Sequence, residues 1–187
     1  AYGPDGRQLG LEAAEFVLSI MQSVDIFGGV KTTDFDKALN DGNIKYISNS
    51  VIEAYLENVK SIRVEPEFDV SSLKVIYTPL NGAGNKPVRE ILKRIGIKEL
   101  AVVPEQELPD GNFPTCPYPN PETKQAFECA LELAKNNKAD LLLATDPDCD
   151  RVGIAVNADG EYKLFTGNDV GVLLLNFMLE RRTANKT

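Results

Sequence analysis

Residues Ala139 to Val156 read A-D-L-L-L-A-T-D-P-D-C-D-R-V-G-I-A-V, and the rest of the chain is read outward from them. An apolar run from Leu141 to Ala144, of the length of a buried strand, ends in aspartates at alternate positions, Asp146, Asp148 and Asp150. Arg151 and a second apolar run follow. The pattern places a cluster of carboxylates at the end of a strand. Carboxylates so close repel one another, and a hard divalent cation such as Mg²⁺, which takes oxygen ligands and leaves positions open for water or phosphate, removes that cost. Pro147 fixes one φ angle in the loop and pre-arranges the ligands. The plainer alternative makes the aspartates solvated turn residues.

Other acidic motifs fit less well. A calcium EF-hand loop starting at Asp146 needs glycine at its sixth position and glutamate at its twelfth, where this chain has Arg151 and Asn157. A haloacid-dehalogenase-like phosphatase also places D-x-D after a strand, but Pro147 and Asp150 suit its loop poorly and no second acidic pair follows Asp150. It stands as the alternative reading, beside a non-catalytic cation-binding module.

Composition narrows the chemistry. The 187 residues are 43% apolar, enough for one full domain with flanking pieces, and the formal net charge of −8 argues against a nucleic-acid surface or an acidic membrane as partner. With zero histidines there is no Ser-His-Asp triad, no histidine zinc site and no imidazole base within these residues. Three cysteines, Cys116, Cys129 and Cys149, show no C-x-x-C spacing, which suits a reducing cytoplasm better than a disulfide framework. Neither a signal-peptide pattern nor an apolar run of membrane-spanning length is present.

Along the chain, Asp5-Gly6 marks a hairpin turn, and the start of the sequence inside that hairpin leads us to expect an excised fragment. Leu11 to Ser23 is expected to be helical, with Phe16, Val17, Ile20 and Met21 on one face. Thr33 is the expected cap of a short helix ending at Gly42, and Ser48 or Ser50, the latter with Glu53 as a capping box, is expected to start another. Glu65 to Asp69 reads as a solvated loop. From Leu73 strands and helices alternate: a strand to Tyr77, the turn Gly82-Ala83-Gly84, a helix with Pro87 in its first turn, and a strand from Leu100 to Val103. The glycine turn reads either as a phosphate cradle or as a tight turn that needs small residues. Pro104 to Pro121 is a long proline-rich loop, able to wall an active site or merely to cover the sheet. A helix from Pro121 to Asn136 follows, with Cys129 as packing. Beyond the aspartates, Asn157 to Gly160 signals a second hairpin, and Asn168 is the expected cap of a final helix.

These segments predict an α/β fold with a mixed, mainly parallel sheet sandwiched between helices in three α/β/α layers. Residues 1–48 are expected to be the tail of a preceding domain, 49–165 a metal-binding α/β domain with a helical connector at 49–62, and 166–187 the start of a following domain.

At its motifs the chain resembles a known family. T-D-P-D-C-D-R-V-G (Thr145 to Gly153) resembles the metal-binding loop of the α-D-phosphohexomutases. T-P-L-N-G-A-G-N (Thr78 to Asn85), P-E-Q (Pro104 to Gln106), F-P-T-C-P-Y-P-N-P-E (Phe113 to Glu122) and T-G-N-D-V-G (Thr166 to Gly171) resemble its phosphoglucomutase branch in the same order. Cys149 stands where the family usually has a small residue. The resemblance implies an isomerase of carbohydrate metabolism, moving a phosphoryl group between the 1 and 6 positions of a hexose through a phosphoserine and a bisphosphorylated intermediate. Mg²⁺ would be held by Asp146, Asp148 and Asp150, with Arg151 as the catalytic, substrate-binding cation or, alternatively, only a partner of the aspartates. The family's phosphoserine loop, sugar-binding loop and phosphate-binding loop are not found in these residues. The chain therefore resembles the metal-bearing second domain, with a phosphosugar substrate and the remaining domains of a parent chain as its partners.

Overall fold

The computed structural model describes residues 2–64 and 69–184, and the side chains of all but 182–184 among them. The loop expected at Glu65 to Asp69 falls largely outside the described residues. Two compact units divide between Ser48 and Asn49.

In the first unit Tyr2 bridges Gln8 antiparallel, as the Asp5-Gly6 turn implies. Helix α1 (Leu11–Met21) buries none of its residues, so its apolar face is exposed. Helix α2 (Phe35–Asn40) is capped by Asp34 and not by Thr33: the Asp34 Oδ1 accepts from the Lys37 amide at 2.8 Å. A carboxylate one residue later satisfies the free amide and adds charge at the positive end of the helix.

The second unit begins with α3 (Asn49–Ser61). The helix starts early enough to place Ser50 inside its first turn, and the expected capping-box partner Glu53 instead binds Arg94 at 2.8 Å. Strand β1 (Lys74–Thr78), helix α4 (Asn85–Arg94) and strand β2 (Glu99–Val102) then form a parallel crossover. Arg94 ends α4 and ties it to α3 through Glu53 and Glu57. A short helix α5 (Pro104–Glu107), the proline-rich loop and α6 (Glu128–Asn137) lead to β3 (Leu141–Thr145), parallel to β1. Strands β4 (Val152–Ala158) and β5 (Glu161–Phe165) add two antiparallel pairings, and α7 (Gly167–Ala184) closes the described chain.

The sheet order is β2-β1-β3-β4-β5, and β4 alone runs against the others. The two crossovers leave β1 and β2 in opposite directions across the sheet, so their shared right-handedness puts α4 and α6 on opposite faces. On the α6 side Ile76, Leu142, Ala144 and Ala155 meet Ala126, Phe127, Ala130 and Ala134 in one core. The proline-rich loop contributes Cys116, and α5 contributes the fully buried Gln106, whose Oε1 accepts from the Thr78 hydroxyl at 2.7 Å. Between the two readings of that loop, covering the sheet is what its buried residues do.

An acidic hairpin loop as the candidate site

Thr145 pairs with Val152 in the antiparallel register, so Asp146 to Arg151 is the connection of a β-hairpin. The loop folds back on its first residue. The Cys149 amide donates to the Asp146 carbonyl at 3.0 Å, and the turn requires Cys149 at φ 63°, in the left-handed region that is costly for a residue with a Cβ. Asp146 is completely buried while Asp148 and Asp150 are exposed, and one carboxylate oxygen from each lies within 4.8 Å of the others. Alternate positions along the loop thus converge on one point from a buried base and an open rim.

Arg151 closes the loop from the other end. Its amide donates to Asp146 Oδ1 at 2.9 Å and its Nε to Oδ2 at 2.7 Å, while Asp150 stands 3.6 Å from the same Nε. Burial opposes ionisation of Asp146 more than any other single influence, yet the bonds and charge of Arg151, with a hydrogen bond to Asp150, hold the carboxyl below the ordinary carboxylate range. Asp150 is pushed the other way by its contact with Asp146 and by the negative charges of Asp146 and Asp148. The pairing of Arg151 with the aspartates, one of the two roles read from the sequence, is present, and its side chain remains half exposed at 52%.

The donor set fits a hard divalent cation. It is all oxygen, it is crowded enough to raise Asp150, and its exposed rim leaves room for water or phosphate on one side. Asp146, Asp148 and Asp150 are the residues that could hold such an ion.

What the sequence did not reveal is the support beneath the loop. A Cβ on Gly82 would lie 2.3 Å from the Pro147 Cα, and the Ala83 amide donates to the Pro147 carbonyl at 2.8 Å. The Gly82-Ala83-Gly84 turn is therefore a seat for the aspartate loop, in the sense of the tight turn that needs small residues. Leu80 and Asn81, both at positive φ, aim that turn, and the Asn81 amide group donates to the carbonyls of Leu108 and Glu105 at 2.8 and 3.3 Å. A glycine pair just past a strand was the available signal, but which segment it would touch is not written locally.

A buried-base acidic loop beyond the ends of parallel strands, in a three-layer α/β/α domain, defines the class of site. Residues 53–160 match the model of the phosphoglucomutase/phosphomannomutase alpha/beta/alpha domain II, and the chain belongs to that family. It is similar to a phosphoglucomutase of Staphylococcus saprophyticus, 36% identical over 187 residues covering 100% of this chain and 34% of the relative. A Staphylococcus aureus phosphoglucomutase is also 36% identical, over 96% of this chain and 32% of its own length. A solved phosphoglucomutase/phosphomannomutase family protein from Burkholderia thailandensis covers 61% of this chain and 22% of its own, at 23% identity and a TM-score of 0.48. The chain spans about a third of the length of the curated relatives it matches. The haloacid-dehalogenase alternative gives way to this membership.

Proposed function

We propose that this chain is the metal-binding part of a phosphoglucomutase-type enzyme that interconverts hexose 1-phosphate and hexose 6-phosphate by way of a phosphoserine on another part of the parent chain and a bisphosphorylated intermediate. The observation that carries the reading is the convergence of Asp146, Asp148 and Asp150 within 4.8 Å beside Arg151, in a chain of this family. Mg²⁺ is the proposed ion. Bound to the aspartates, it would supply positive charge that neutralises phosphoryl oxygens during transfer.

The protein's own groups have separable tasks. Asp146, ionised by its bonds to Arg151, gives the site a fixed negative base, while Asp148 and Asp150 close on the ion from the rim. Arg151 holds Asp146 through its amide and Nε, and its half-exposed guanidinium is placed to orient a phosphate or sugar oxygen by charge-assisted hydrogen bonds. Residues up to 48 form the proposed tail of a preceding domain, 49–165 the metal-binding domain, and 166 onward the start of a following one. The exposed leucines Leu173, Leu174, Leu175 and Leu179 on α7 support the last boundary. The substrate is a phosphosugar of the glucose phosphate class, the remaining partners are the other domains of the parent chain, and the reading includes no nucleic acid or membrane. A reducing cytoplasm fits three free cysteines, and among the described residues no helix is long and apolar enough to cross a membrane.

The test is a Mn²⁺ titration of the chain with an Asp146→Ala control, alongside an assay of glucose 1-phosphate conversion. Binding by this chain, lost in the Asp146→Ala control, with no turnover by either, is the expected result. Unchanged binding in Asp146→Ala would overturn the site, and turnover that Asp146→Ala abolishes would overturn the division of labour with the rest of a parent chain.

A further inference from the structure

Tyr77 is fully buried on the face of the sheet opposite α6, and its hydroxyl lies 2.8 Å from the hydroxyl of Thr145. Tyr77 is in register with Leu143, so its ring reaches two residues further along β3 to the last residue of that strand, the immediate neighbour of Asp146. A Cβ on Gly84 would stand 2.5 Å from the Tyr77 Oη, 2.8 Å from the Thr145 Oγ1 and 2.9 Å from the Cys149 Sγ. The base of the aspartate loop, at Thr145, and its far side, at Cys149, thus close on one spot where the chain carries no side chain.

Packing alone does not call for these hydroxyls. Phenylalanine would fill the same volume, and a buried hydroxyl costs stability unless it finds a partner. Each of the two has the other as partner, and together they fix the side chain from which the backbone turns out of the sheet into Asp146. We infer that the Tyr77–Thr145 hydroxyl pair, closed by Gly84, is a positioning device that holds the aspartate loop in the geometry that receives a cation. The inference rests on the cation reading of the loop proposed above.

Mn²⁺ binding to the chain, followed by electron paramagnetic resonance, tests it with the variants Tyr77→Phe, Thr145→Val, the double variant and Thr145→Ser. Either single change is expected to weaken Mn²⁺ binding by about three- to tenfold, less than for a group bonded directly to a ligand. The double variant should bind no more weakly than the worse single, because the two residues act as one unit. Thr145→Ser, which keeps the hydroxyl, should restore binding to the parent level. Tyr77→Phe with parent affinity, or a loss that Thr145→Ser shares equally with Thr145→Val, would overturn the inference and leave the pair as packing. Parent-level binding in an Asp146→Ala control would overturn the cation reading, and the inference with it, so the two failures are distinguishable.

Discussion

Strand β4 is flanked by two hairpin connections built on opposite principles. The one after it turns through Asp159 and Gly160 at φ 54° and 96°, the paired positive angles of a tight two-residue hairpin turn. The Gly160 amide donates to the Asn157 Oδ1 at 2.8 Å, and nothing lies within 4 Å of where a Gly160 Cβ would be. That turn is made by its own residues in open solvent. The connection before β4, Asp146 to Arg151, has a fully buried carboxylate at its base and rests its proline against the backbone of a turn more than sixty residues earlier in the chain. Local chemistry closes the first of these turns, whereas the candidate site is held in shape by a distant segment.

If that contrast is right, Gly82→Ala gives the largest effect. Its Cβ would meet the Pro147 backbone at 2.3 Å, so seat and loop must separate. A loss of about 3 kcal/mol, the upper end for overpacking, is expected in denaturant unfolding, together with loss of Mn²⁺ binding. Parent-like values for both would show that the loop needs no seat.

Alkali probes the same support by another route. Burial pushes the Tyr77 hydroxyl up to about 12 against the opposing bond from Thr145, whereas in the unfolded chain it ionises near 10. A raised folded value means the stabilisation is complete below pH about 10 and is lost as pH climbs toward 12, amounting to about 2 kcal/mol. Stability measured by denaturant unfolding across that window should fall more steeply with rising pH in the unmutated chain than in Tyr77→Phe; parallel curves would count against a neutral buried phenol.

Gly160→Ala should cost about 1 kcal/mol, the strain of a Cβ in the left-handed region, and leave Mn²⁺ affinity within about twofold of the parent. A larger effect on the metal would mean that the second hairpin is coupled to the first. The smallest change in stability is expected for Asp148→Asn. Asp148 is exposed and its charge is one of those that raise Asp150, so its removal relieves repulsion, and the metal-free melting temperature should stay level or rise slightly while Mn²⁺ binding weakens. A marked fall in that temperature would mark Asp148 as a structural residue.

Helix ends show where local reading stops short. Asn168 was expected to cap α7, yet Thr166 and Asp169 form the reciprocal box: Asp169 Oδ2 accepts from the Thr166 amide at 3.0 Å and from its hydroxyl at 2.8 Å, and Thr166 Oγ1 accepts from the Asp169 amide at 3.2 Å. Those bonds hold Asp169 below the ordinary carboxylate range. At Asp34 and Thr166 the neighbourhood holds several residues of capping type, and which one caps depends on how the preceding chain enters the helix. Glu122 adds a partner that no local rule supplies, its Oε1 accepting from the Gly167 amide at 3.1 Å.

From the order of its residues alone this chain determined a mixed α/β/α sheet, because apolar runs of strand length, amphipathic helices and the Asp159-Gly160 turn are properties of contiguous residues. Its membership in the family was legible in the same way, through T-D-P-D-C-D-R-V-G and the motifs around it. Only the tertiary structure decided that Gly82 seats Pro147, that Tyr77 reaches Thr145, and that Asp146 is the buried member of the aspartates while the other two face solvent. Those facts depend on pairing β1 with β3, residues far apart in sequence, and on which face of the sheet each side chain then takes. A one-residue slip of that register would turn Tyr77 to the other face and leave the loop without its support.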